Sequence, residues 1–209
     1  VPELLVATPT GPLRGRQDVL LALEQYAQAY PWPNIWFRPG ELSGGWLLGF
    51  AERAAGDGTL QVVLPADLLS QVFGEDAAVR LRRIEVTFSL REYDRALVPE
   101  GQVYFGLGLQ GADESRVAVQ IQLVREDAIN IGVRAGDEFR ARTTLPVNEI
   151  QAVLALDRHD DGTVDLLFNG EAVGPARFLT APNAPVMPFL FVHQGGVVVS
   201  VTNLIAELE

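Results

Sequence analysis

The sequence predicts a mainly β, antiparallel two-sheet sandwich, and three observations carry that prediction. Apolar and polar side chains alternate over long runs after Trp36, as in RIEVTFSLRE (83–92) and RVAVQIQLVRE (116–126), which is the period of a strand with one wet face. Turn residues recur at intervals of roughly ten residues, the rhythm of short antiparallel strands. No helix of crossover length separates the runs, and parallel strands need about a dozen residues to return.

Taken in order, residues 1–13 mix Pro, Thr and Gly around one short apolar patch and read as a tether ahead of a single sandwich domain over 14–209. Val1 stands where an initiator Met would be, which suggests either a processed precursor or a trimmed chain, and any targeting segment would have been lost with it. A helix is predicted over 15–30, because Val19, Leu20, Leu23, Ala27 and Tyr30 fall near helical spacing and Asp18 sits where a cap is needed. Pro31 and Pro33 stop it. Strands follow at GGWLLGFAER, TLQVVL, RIEVTFSLRE, QVYFGLGLQG, RVAVQIQLVRE, INIGVR, EIQAVLALDR, TVDLLFNG, MPFLFVHQ and GVVVSVTNLIAEL. A short helix is expected in PADLLSQVFG, with Pro65 at its first turn and Gly74 at its C-cap. Asp161-Gly162 and Asn169-Gly170 mark hairpins, since both pairs tolerate positive φ. A single open sheet of ten or so strands curls or splits, so two stacked sheets are expected.

Composition narrows the chemistry. The chain has 209 residues, a formal charge of −11, no Cys and two His, His159 and His193; every one of its 16 cations is Arg. A Schiff-base or P-loop lysine, a thiolate nucleophile, a Cys-ligated zinc and a three-histidine zinc site are therefore excluded from this chain alone. An acidic surface without clustered cations argues against nucleic acid and against an anionic membrane. No apolar run is long enough to span a bilayer.

In DRHDDGTVDLLFNGEAVG (157–174) an apolar strand, an Asp-Gly turn, a strand ending in Asn-Gly and a further strand follow one another, and VVVSVTNLIAEL closes the chain. These segments resemble the late strands of laminin-G-like and concanavalin A-like jelly-roll domains. The resemblance implies a two-sheet jelly roll whose relatives bind carbohydrates or proteins, or in other branches hydrolyse glycans.

Candidate sites were weighed against structural roles. Trp46, Trp36, Tyr104, Tyr93 and Trp32 could stack on sugar rings or fill the core; Trp46 follows Ser43-Gly44-Gly45, where glycines mark close approach of a ligand or of backbone. His193 ends the strand FLFVHQGG and is either a ligand contact or a hydrogen-bonded structural group. Asp157, Asp160 and Asp161, with Asp165 nearby, offer oxygen ligands for calcium, or simply suit a tight turn. Glu92-Tyr93-Asp94 resembles the alternating carboxylates of jelly-roll hydrolases, but Ala96 and Leu97 stand where a third acid is expected. No G-x-S-x-G elbow surrounds Ser43 or any other serine. The expected function is a non-enzymatic recognition, adhesion or assembly module outside the cytoplasm or at the cell surface, taking a glycan or a protein partner. A carbohydrate-active enzyme with a degenerate carboxylate motif is the alternative.

Overall fold

A computed structural model describes residues 11–24, 35–39, 45–50, 58–93, 103–123, 128–135, 138–146, 151–193 and 196–209; of 35–36, 38–39, 50, 123, 128–135 and 138–146 it describes the backbone. Two antiparallel sheets lie face to face. The larger has nine strands: β12 (Glu171–Ala172), β11 (Thr163–Phe168), β10 (Gln151–Arg158), β5 (Leu81–Tyr93), β15 (Val197–Leu208), β3 (Trp46–Phe50) and β2 (Ile35–Pro39), with β1 (Gly15–Asp18) beside β15 and β13 (Arg177–Phe178) beside β11. The smaller runs β4 (Thr59–Val63), β14 (Val186–His193), β6 (Val103–Gly111), β7 (Arg116–Leu123), β8 (Ala128–Ala135) and β9 (Glu138–Pro146).

Alternation makes the core. Ile84, Val86 and Phe88 of β5, Leu154 and Leu156 of β10 and Val199 and Val201 of β15 face Phe105 and Leu107 of β6 and Val119 and Ile121 of β7, every one of them fully buried. Phe88 and Phe105 meet edge to face at 5.4 Å, joining the two sheets at mid-height, a geometry that aligns ring edge with ring face. Bulges between Val198 and Val199 and between Val201 and Asn203 shift the β5–β15 register, which bends and twists the long central pair.

Three helices accompany the sheets. In α1 (Val19–Glu24) the Asp18 carboxylate accepts from the Leu21 amide at 3.0 Å, the expected cap. Residues 15–18, however, form a strand: Gly15–Asp18 pairs with Ile205–Leu208, so the last strand templates what the spacing assigned to a helix. Residues 25–30 of that predicted helix and 1–10 of the predicted tether lie outside the described residues. Gly11 to Leu13 dock, with the Leu13 amide donating to the Phe73 carbonyl at 3.0 Å. α2 (Ala66–Phe73) follows Pro65 and ends at Gly74, whose φ of +91° suits glycine. α3 (Ala77–Arg80) was not foreseen. Its Arg80 guanidinium donates to the carbonyls of Leu13, Phe73, Glu75 and Glu209, clasping α2 and both ends of the described chain. Among the described residues no helix is long and apolar enough to cross a membrane.

Candidate functional site on the outer face of the six-stranded sheet

Because successive strand residues point to opposite faces, the side of the smaller sheet away from the core is also fixed by parity. In register across four strands it carries Thr59, His193, Tyr104 and Gln122; then Gln61, Phe191, Gly106 and Gln120; then Val63, Phe189, Gly108 and Ala118. The first row is polar and half-buried, apart from an exposed Thr59. Tyr104 and His193 stack with ring centroids 4.2 Å apart and planes 1° from parallel. Thr59 Oγ lies 2.7 Å from His193 Nδ1 and 3.4 Å from the Tyr104 hydroxyl, so three hydrogen-bonding groups converge at one corner.

Beside this row lies a small apolar cluster of Phe189, Phe191 and Ala118, buried and separate from the main core. Glycines make it fit. A Cβ on Gly106 would stand 2.8 Å from Phe191 Cζ, and one on Gly108 would overlap the Phe189 ring, so both rings lie down on bare backbone. The Arg116 guanidinium sits 5.6 Å above Phe189 and donates to Gln61 at 3.2 Å, a cation over an aromatic face.

Of the aromatic and histidine candidates, Tyr104 and His193 are thus brought together. Trp46 is placed elsewhere, and the stacking platform expected there is corrected: it is 2% exposed, its ring 4.7 Å from Phe37 in the core. The glycine before it marks approach of another strand, since a Cβ on Gly45 would meet Ser200 Oγ at 2.9 Å. Trp36 belongs to β2 at the far edge of the other sheet, and its side chain, like Trp32, Ser43 and Asp94, lies outside the described residues. Glu92 is the last residue but one of β5 on the nine-stranded sheet, exposed and opposite Val198.

The three aspartates proposed for calcium are each engaged separately. Asp157 takes a two-oxygen bond from Arg83 Nη1 at 2.8 and 2.7 Å. Asp160 pairs with Arg82 at 2.8 Å. Asp161 accepts from the Thr163 amide at 2.9 Å and hydroxyl at 2.6 Å, closing its own turn. The Thr163 hydroxyl first, and then its amide, hold the Asp161 carboxyl below the usual carboxylate range. Among the described residues no three His, Asp or Glu side chains are grouped to hold a metal ion. His159 is exposed and lies 2.9 Å from Asp165.

Neither a family model nor a curated protein matches this chain. Solved structures do. An alginate lyase from Pseudomonas aeruginosa superposes with a TM-score of 0.58 at 10% identity, over 89% of this chain and 90% of that one. The fold is a jelly-roll sandwich. The Crh5 transglycosylase in complex with NAG gives a TM-score of 0.56 at 11% identity, over 95% of this chain and 86% of its own. At such identities the likeness is one of fold.

Sequence reasoning placed Gln120 and Gln122 on a wet face but did not single them out, and it missed Thr59, Gln61 and Arg116. The signal available was Gln-Ile-Gln in a central strand, an amide pair on one side of a buried apolar residue. Nothing local ties Thr59 to residues 45 and 134 positions away.

Proposed function

We propose that the chain is a glycan-recognition module of the concanavalin A-like branch, acting outside the cytoplasm, and that the outer face of its six-stranded sheet is the binding surface. The observation that carries this reading is the row Thr59–His193–Tyr104–Gln122, in which a hydroxyl, an imidazole, a phenol and an amide stand side by side on a rigid sheet. Sugars offer both hydroxyls and apolar ring faces, and such rows with an aromatic member complement them. Hydrolysis by paired acids draws no support from the same face: its described residues include no Asp or Glu, and retaining enzymes need two about 5 Å apart.

The test is calorimetric titration with hexasaccharides of alginate, chitin, laminarin, cellulose, xylan and mannan, with calcium and with chelator. Binding of at least one, weakened roughly tenfold or more in Tyr104→Ala, is the expected result; no response to any of them removes the glycan reading and leaves a protein partner. Loss of binding on chelation would assign calcium a role.

A specific observation favours a second reading. Tyr104 and His193 place a phenol and an imidazole in contact, two groups fit for proton transfer, so elimination on an acidic polysaccharide is the enzymatic competitor. Release of unsaturated uronate from alginate, absent in His193→Ala, would put catalysis in place of binding; turnover that vanishes in Glu92→Gln would restore the carboxylate alternative.

A further inference from the structure

The residue in the middle of this face is the one whose chemistry is unfinished. Gln120 lies between Val119 and Ile121, both fully buried in the core, so its own side chain stands on the outer side of β7, yet it is only 3% exposed. Its register partners are Gly106 on β6 and Gly132 on β8. A long side chain thus rises between two positions that contribute none, with the Phe191 ring leaning over Gly106. The side-chain oxygen is buried and accepts no hydrogen bond.

A buried side-chain oxygen without a partner is costly and is rarely tolerated when a methionine or leucine of similar volume would fill the space. We infer that Gln120 reads the ligand of this face: its side-chain oxygen is kept unpaired in the free protein to accept from a hydroxyl on a sugar ring. A sugar hydroxyl, which both donates and accepts, supplies the donor that this oxygen lacks. Gln122 lies two residues along the same face, about 7 Å away at strand spacing, so contacts to the sugar continue into the polar row. The inference rests on the proposed glycan surface and assigns its specificity to one residue.

The test compares wild type with Gln120→Met, which keeps length and volume without the amide, and with Gln120→Leu, which guards against a packing fault peculiar to one side chain. Thermal melting and titration with the same hexasaccharides are read together. Melting at or above the wild-type temperature, with affinity for the bound hexasaccharide down roughly tenfold or more, is the expected result. A lower melting temperature in both variants overturns the inference, because the amide, bridged by water or otherwise, is then structural. Unchanged melting with unchanged affinity also overturns it while leaving the Tyr104 surface intact. Wild-type protein that binds none of the hexasaccharides removes the surface itself, and Gln120 with it.

Discussion

Arg158 shows how a single side chain can be buried with no counter-ion among the described residues. It is 5% exposed, and its two terminal nitrogens donate to the carbonyls of Val79 at 3.1 Å and Ala184 at 2.7 Å. Burial first, and the neighbouring Arg82 cation second, hold its guanidinium below the ordinary arginine value. The residue therefore pins the segment after β13 to α3. Arg158→Ala should cost about 3 kcal/mol in chemical denaturation, because two part-buried carbonyls lose their donors and a cavity opens. Arg158→Met should cost clearly less, since it fills the space and removes a desolvated charge. At the surface, Asp161 makes a pH prediction with a definite sign. Its carboxyl is held low by Thr163, so its contribution is present above the unfolded carboxylate range near pH 4 and is lost as pH falls below it. Melting curves between neutral pH and pH 2 should show a smaller acid loss for Asp161→Asn than for wild type.

Among elements, the hairpins show what local chemistry specifies. Asn169-Gly170 forms a two-residue turn with φ of 49° and 85°, both positive as anticipated. In the other hairpin only Gly162 takes a positive φ, 84°, and its hydrogen-bonded ends, His159 and Thr163, enclose three residues rather than two. A Cβ on Gly162 would also overlap the Thr180 carbonyl oxygen. Gly162→Ala should therefore destabilise by at least about 2 kcal/mol, whereas Gly170→Ala, with open space around it, should cost about 1 kcal/mol. Ten strands announced themselves through alternation. β9 did not: EFRARTTLP interleaves arginines and threonines and ends in proline, the composition of a sheet edge. β1 and β13 are short and exist because β15 and β11 offer unpaired edges beside them, a non-local cause that no window of sequence displays. The α1 prediction overran for the same reason, since apolar spacing at Val19, Leu20 and Leu23 fits a helix on one side and says nothing of what Gly15–Asp18 can pair with.

For the molecule as a whole, the core is one body spanning both sheets, with Phe88 and Phe105 at its centre. Phe88→Ala should remove about 3–5 kcal/mol, the range for emptying an aromatic site in a close-packed interior. The candidate site was legible only in part. Tyr104 and His193 were visible as residues able to meet a ligand, but their stacking, and the orphaned side-chain oxygen of Gln120, arise from register among strands far apart in sequence. Trp46 misled because a large aromatic flanked by glycines looks the same whether it faces a ligand or a neighbouring strand. Charge is also partitioned at this scale: Arg83 binds Asp157 and Glu85 on the outer side of the nine-stranded sheet. Partial burial works against that guanidinium, yet the two carboxylates hold it above its ordinary value.

The pairing of Gly15 with Leu208 has a mechanical corollary. Tension applied between those two positions acts across the β1–β15 ladder, not along it, so its rungs break one after another instead of sharing the load. Single-molecule pulling from residues 15 and 208 should peel β1 away at low force, rung by rung from Gly15 toward Asp18. Handles placed at the two ends of β5 should meet much greater resistance.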